Sequence, residues 1–262
     1  MQSKQISTQT KLSILAVGLL SFIGILVETS MNVTFPTLMR ELHVSLATVQ
    51  WLTTAYLLMV TIAMSTTAFI LKRFSFRSLF FFAAGMSLIG TITALVSRNF
   101  GILLTGRLLQ AVATGIATPL MFQLVFTRIP AAKIGVWTGL ASVIISLAPA
   151  LGPTYGGILT SLWSWRIIFV GVLPILVIAV VIGAVNILGA TLGTHGEKFD
   201  LVGLVLLAIT FGSLVFALDV AGTHGWLSAA FASSVVIAII LVLAMSWYAR
   251  HGRRHLFDYT IL

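Results

Sequence analysis

The sequence predicts an all-α integral membrane protein with about eight transmembrane helices, six in one bundle followed by an extra pair. Three observations carry that class. Hydrophobic residues make up 59% of the chain and charged residues only 8%, whereas a soluble domain carries about 25% charged residues. The mean hydropathy is +1.11. Eight apolar windows, at 12–34, 49–71, 77–97, 101–127, 134–160, 166–188, 201–221 and 227–248, are each long enough to cross a bilayer, which takes about 20 residues of helix. Most connections between them are too short for anything but antiparallel neighbours.

Lys4 and Lys11 precede the first span, and Leu12 to Val27 alone resembles the apolar core of a signal peptide. Seven further spans follow and no small-residue cleavage site does, so the segment is read as a helix that stays. Asn32-Val33-Thr34 matches a glycosylation sequon, but at a helix end it is read as coincidence. Glu28 falls inside this span, with Met31 and Asn32 one turn on. The second span carries Trp51, suited to an interfacial aromatic belt, then Thr53, Thr54 and the deeper Tyr56. Met31, Asn32 and Tyr56 are candidate pocket residues, with core packing the competing assignment for each. Lys72-Arg73-Phe74-Ser75-Phe76-Arg77 joins spans two and three, either as topogenic charge or as a gate.

The fourth span holds Arg107 and Gln110, three residues apart and so on one helix face. A buried glutamine needs partners, and Gln110 serves either to hold the guanidinium or as glue between helices. Gly115 and Pro119 follow it. The fifth span contains SLAPALGPTYGG, Ser146 to Gly157, with two prolines and three glycines. Ala148, Gly152 and Gly156 recur every four residues, a face on which another helix can approach closely. Pro149 and Pro153 share that step, and each removes a backbone hydrogen bond.

The sixth span follows Ser164-Trp165-Arg166. Asn186 to Asp200 is the only plausible internal linker, and it separates six spans from two. Asp219 lies near the end of the seventh span, just before Ala221-Gly-Thr-His-Gly-Trp226, and is read as a solvated interfacial carboxylate. The domain boundaries are therefore 1–188 for the six-helix unit, 189–200 for a cytoplasmic linker, 201–248 for the extra pair and 249–262 for a basic tail. That tail heads towards another apolar segment and is expected to be cut short at Leu262.

Charge placement sets the orientation and excludes several functions. With the N-terminus in the cytoplasm, eleven of the fifteen Lys and Arg residues fall in inside segments and only Arg40, Arg98 and Arg166 outside. An even number of spans returns the C-terminus to the cytoplasm, as expected for a multi-pass cell-membrane protein. The net charge of +9 is thus topogenic, directed at the bilayer and not at nucleic acid. The absence of cysteine excludes disulfides and thiolate metal sites. His195, His224, His251 and His255 are placed in loops without metal spacing, and no Ser-His-acid set or phosphate-binding glycine loop occurs. No enzyme, metal site or bound cofactor is expected.

Two charges lie deep in spans, where each costs at least about 2.5–3.5 kcal/mol at the bilayer centre. Glu28 and Arg107 both fall roughly 10 Å below the outer surface at 1.5 Å per residue, so they are placed to meet. A carboxylate beside an arginine is a candidate proton or cation site; the alternative is a static ion pair that pins two helices.

These pieces together resemble the fourteen-helix drug:proton antiporter branch of the major facilitator superfamily, over essentially the whole chain. Leu26-Val-Glu-Thr-Ser-Met-Asn-Val-Thr-Phe-Pro36 resembles the branch's acidic first-helix motif, with Glu28 where Asp is commoner. Arg107-Leu-Leu-Gln-Ala-Val-Ala-Thr-Gly115 is similar to the fourth-helix motif, with Ala111 in place of a glycine. The stretch through Pro149, Gly152, Pro153, Gly156 and Gly157 resembles the fifth-helix antiporter motif, and Ser164-Trp165-Arg166 the Trp-Arg turn into helix six. The resemblance implies export of amphipathic or cationic small molecules, driven by the proton gradient with no other cofactor. It assigns Glu28 to cation recognition or coupling and Arg107 to assisting proton transfer. It makes 1–188 the N-terminal domain, leaves the C-terminal six-helix half absent, and has the antiporter-motif helix packing near the interface between halves.

The inner loop departs from the family pattern. Ala68, Lys72, Arg73, Ser75, Phe76 and Arg77 align with it, and Lys72 stands where an aspartate belongs, which puts the inner-gate lock in question. Because a superfamily cavity forms between two halves, a second half-transporter chain is an expected partner. The competing expectation is a non-transporting remnant or a partner subunit of a split transporter.

Overall fold

The computed structural model describes residues 6–189 and 200–251. Residues 190–199 of the expected 189–200 linker, with His195 and Lys198, and Lys4 and the tail from 252 on with Arg253, Arg254 and His255, lie outside the described residues. The chain divides into two compact units, Met1–Gly193 and Thr194–Leu262. Among the described residues, eight helices are long and apolar enough to cross a membrane.

In the first unit these are α1 (Thr8–Asn32), α3 (Leu46–Arg73), α4 (Phe76–Leu95), α5 (Phe100–Arg128), α6 (Ile134–Leu162) and α7 (Ile167–Asn186), with a short α2 (Phe35–Leu42) between the first two. Helix starts follow ordinary capping chemistry. Ser7, Ser45, Ser75 and Asn99 each accept a hydrogen bond from a backbone N–H three residues on. The first expected span, 12–34, ends early: α1 stops at Asn32 and the chain restarts as α2. Pro36, in the first turn of α2, has no N–H to offer a continuing helix. Thr34 Oγ1 instead donates to Met31 O at 2.7 Å.

Side-chain bonds fix the antiparallel order at both ends of the bundle. At one end Ser13 Oγ, in the first turns of α1, donates to Asn186 O at the end of α7 at 2.8 Å. At the other, Glu41 of α2 gathers the start of α7. Its Oε2 accepts from Trp165 Nε1 at 2.8 Å and from Arg166 Nη1 at 3.2 Å. Arg166 Nη2 also donates to Ser97 O, just past α4, at 2.9 Å, and its guanidinium lies 4.1 Å from the Trp165 ring centre. The indole is fully buried.

Small residues bring the helices together. Gly90 of α4 and Gly106 of α5 face each other, and a Cβ built on Gly90 falls 2.6 Å from Gly106 O. Gly115 of α5 meets Val60 O of α3 in the same way at 2.8 Å. On α6, Ala148, Gly152 and Gly156 are buried, as their spacing predicts, and they pack on α1. A Cβ at Gly152 overlaps Thr29 Oγ1, and one at Gly156 lies 2.5 Å from Ser30 O. The small-residue face is therefore used inside the bundle. Pro149 and Pro153 are exposed on α6, which runs through both without a break. Removing their N–H groups frees the carbonyls of Ile145 and Pro149. The interhelical bonds of this stretch, Ser30 Oγ to Gly152 O at 2.9 Å and Tyr155 Oη to Ile168 O at 3.0 Å, serve neither.

The second unit is a helix pair, α8 (Leu201–His224) and α9 (Ala229–His251). Asp200 caps α8 through Gly203 N at 2.8 Å and accepts from Tyr248 Oη of α9 at 2.6 Å. Asp219, expected near the end of a span closing at 221, is half-buried within α8, which runs on to His224. His224 and His251, expected in loops, are the last residues of α8 and α9.

Two predictions follow from these contacts. Gly152→Ala lowers the thermal midpoint of the purified protein by an amount equivalent to about 1–3 kcal/mol of overpacking. Gly157→Ala, where an added Cβ meets nothing within 4 Å, leaves it unchanged or slightly raised. Glu41→Ala strands the buried indole N–H and destabilises by about 1–3 kcal/mol, while Glu41→Gln, which retains an acceptor, recovers most of that loss in the same melt.

Candidate functional site

Arg107 is fully buried in the middle of the first unit. One turn along α5, Gln110 turns its amide oxygen back to it, and Arg107 Nη1 donates to Oε1 at 2.7 Å. The other end of the Gln110 amide is tied to α4, where Nε2 donates to Thr91 Oγ1 at 2.9 Å. Both readings of Gln110 hold together: it supports the guanidinium and links two helices.

Tyr56 of α3 supplies the other contact. The Arg107 guanidinium carbon lies 4.1 Å from the centre of the Tyr56 ring. The ring is itself pinned, with its hydroxyl 3.0 Å from Gly24 O of α1 and 2.8 Å from Thr114 Oγ1 of α5. Thr114 also donates to Gln110 O at 3.0 Å. Two hydroxyl protons therefore serve three contacts. A desolvated cation over an aromatic face is worth about 2 kcal/mol, part of what a buried charge requires. Nε and Nη2 of Arg107, which share one edge of the guanidinium, have no hydrogen-bond partner.

Glu28 lies one turn past Gly24 on the same face of α1. It is half-buried and interacts electrostatically with Arg107 and Tyr56. No ion pair joins Glu28 to Arg107, although the helix depths place them together. The reason is local: the guanidinium is already held by the Tyr56 ring and Gln110. Glu28 and Arg107 share one interior and remain unpaired.

The other candidates are dispersed. Met31 is fully buried in the apolar core. Asn32 is exposed and accepts from Thr53 Oγ1 at 2.5 Å. Tyr56 is 1% exposed. Of the three candidate pocket residues, Met31 and Tyr56 are therefore buried and Asn32 is exposed. In the inner loop, Lys72 is half-buried and Arg73 exposed at the end of α3. Arg77 is exposed and lies 5.8 Å from the Phe81 ring centre. Among the described residues no group of His, Asp and Glu is arranged to hold a metal ion.

The sequence reading passed over Thr91, Thr114 and Glu41. Thr114 had a usable signal, since it lies seven residues from Arg107 and so on the same face of α5. Thr91 and Glu41 had none, because their partners are on other helices.

Comparison with known proteins places this geometry. The Major Facilitator Superfamily profile matches residues 17–257. The chain is 35% identical over 244 residues to the lincomycin resistance protein LmrB of Bacillus subtilis, covering 92% of this chain and 51% of that protein. It is 29% identical over 231 residues to the multidrug export protein EmrB of Escherichia coli, covering 88% and 45%. The crystal structure of the peptide transporter POT in complex with sulfate superposes with a TM-score of 0.65 at 14% identity, over 92% of this chain and 53% of that one. The chain spans about half the length of the curated relatives it matches.

Gln110→Leu removes the sole hydrogen-bond acceptor of the Arg107 side chain. A hydrogen bond to a charged group contributes about 1.5–3 kcal/mol, so this variant melts well below the parent protein. Gln110→Glu, which keeps the acceptor oxygen, stays closer to it.

Proposed function

The chain belongs to the major facilitator superfamily, and on that premise we propose that it forms one wall of a proton-coupled exporter of amphipathic or cationic small molecules. One observation carries this reading: a half-exposed carboxylate, Glu28, shares a membrane interior with a fully buried guanidinium, Arg107, yet is not paired with it. A static pair would pin two helices. An unpaired carboxylate in electrostatic reach of a fixed positive charge is able to exchange its proton for a cation, which is the elementary step of antiport. The likeness to proteins named for lincomycin resistance and multidrug export supports the substrate class.

In this reading Glu28 takes up the proton or recognises the cation, Arg107 biases that exchange, and Gln110 holds Arg107. The stretch containing Pro149, Gly152, Pro153, Gly156 and Gly157 keeps α6 closely packed on α1 while presenting its proline edge outwards. Lys72, Arg73 and Arg77 mark the cytoplasmic side, with both ends of the chain on that side. The second wall of the cavity comes from another helical bundle, in the same or a partner polypeptide. A non-transporting partner subunit is the competing reading, favoured by Lys72 standing where the family carries an inner-loop aspartate.

The test is efflux from vesicles driven by an imposed pH gradient, using the chain together with its second half. Glu28→Gln abolishes gradient-driven export while leaving protein abundance unchanged. Full export by that variant removes the role given to Glu28, and no export by the parent assembly selects the non-transporting reading.

A further inference from the structure

Tyr56 was a candidate for contact with substrate, and its surroundings point elsewhere. It is buried, its hydroxyl is committed to Gly24 O and Thr114 Oγ1, and one ring face is covered by Arg107. Arg107 has no carboxylate partner, and its Nε–Nη2 edge is without a hydrogen-bond partner. Two groups hold it: the Gln110 oxygen at 2.7 Å and the Tyr56 ring at 4.1 Å. Gln110 fixes one nitrogen and leaves the plane free to turn about it. The ring fixes the plane.

We propose that Tyr56 is a positioning residue, whose ring takes the place of a counter-ion beneath Arg107 and thereby keeps Glu28 unpaired. The inference deepens the antiport reading, since it concerns the pair on which that reading rests. A cation is attracted to a ring face without receiving a negative charge. The guanidinium therefore stays charged and stationary while its electrostatic influence on Glu28 is undiminished. A carboxylate in the same place would cancel that influence. A bare apolar side chain would leave the guanidinium free to turn towards Glu28 or towards entering water.

The absence of native cysteine makes the influence of Arg107 directly measurable. In the Glu28→Cys chain, position 28 carries the sole thiol, and its conversion to a mixed disulfide, with release of a sulfinate, is timed with an anionic sulfonatoethyl thiosulfonate and a cationic trimethylammonioethyl thiosulfonate. The ratio of the two rates reports the local potential. Arg107→Gln sets its floor. With Tyr56 present the anionic reagent is preferred, and Tyr56→Phe, which keeps the ring and loses both hydroxyl contacts, preserves that preference. Tyr56→Leu lowers the ratio about tenfold towards the floor, because the guanidinium, released from the ring and with no carboxylate at position 28 to attract it, turns to entering water. Should the leucine variant not fold, Tyr56→Met, flexible enough to fill the gap, replaces it.

An unchanged ratio in the leucine or methionine variant overturns the proposal. So does a fall in the phenylalanine variant equal to that of leucine, which would assign Tyr56 to its hydroxyl contacts. In vesicles that retain Glu28, Tyr56→Leu loses gradient-driven export but keeps gradient-independent exchange; equal loss of both means a structural role and overturns it as well. If Glu28→Gln retains gradient-driven export, the antiport reading falls by itself, and the labelling ratio still decides the role of Tyr56.

Discussion

The constraint on which the first unit depends is the accommodation of a buried guanidinium without an ion pair. Arg107 is fully buried in α5, and nothing in its own helix except Gln110 can serve it. The rest comes from neighbours: a ring from α3, a hydroxyl from α4 to hold Gln110, and a carbonyl from α1 to hold the ring. Four helices are thereby placed relative to one side chain. Removing any one contact leaves a polar group unsatisfied in a medium that offers no replacement. The network therefore specifies the arrangement more sharply than the surrounding apolar contacts, which lipid tails could equally well make.

That network can close only because the helices approach closely enough for short side chains to bridge them. Thr114 reaches the interface between α5 and α1 because Gly24 leaves it room. Gln110 reaches Thr91 across the seam where Gly90 and Gly106 meet backbone to backbone. Gly115 does the same for α5 and α3. Glycines within helices, each less favourable than alanine by about 1 kcal/mol in water, here set the interhelical distances that the polar contacts need. Polar specificity and small-residue packing are thus two parts of one solution.

What the sequence revealed follows the same division. Spans and their order were legible, because hydropathy acts within a segment. The pairing of Arg107 with Gln110 was legible for the same reason, being three residues apart on one helix. The buried face of Ala148, Gly152 and Gly156 was legible as a face, but its partner was not. Helix spacing says which residues align and is silent on what they meet. Tyr56 was singled out by its depth, which was readable, while its ring contact with Arg107 depends on how α3 crosses α5. The short α2 was hidden because an apolar window continues across Asn32 to Thr34, and only Pro36 marks the restart. Glu41 carried no signal of its own; its role emerges when α7 brings Trp165 and Arg166 to it.

The two seams of α1 bring these observations to one place. On one side Gly24 receives Thr114 and the Tyr56 hydroxyl, so that side of α1 is keyed to the Arg107 network. On another, Thr29 and Ser30 are keyed to Gly152 and Gly156 of α6, with Ser30 Oγ donating to Gly152 O. Glu28 lies between the two seams, four residues past Gly24 and one before Thr29. Neither seam has room for an added Cβ, since one built on Gly24, Gly152 or Gly156 overlaps an oxygen of the facing helix. Glu28 is therefore held from both sides, by α6 through Gly152 and Gly156 and by the Arg107 network through Gly24. The separation between the carboxylate and the guanidinium is set by how α1 sits between its two partners. That makes the seam of Gly152 and Gly156 relevant to the charged site, although no atom of α6 is hydrogen-bonded to either charge.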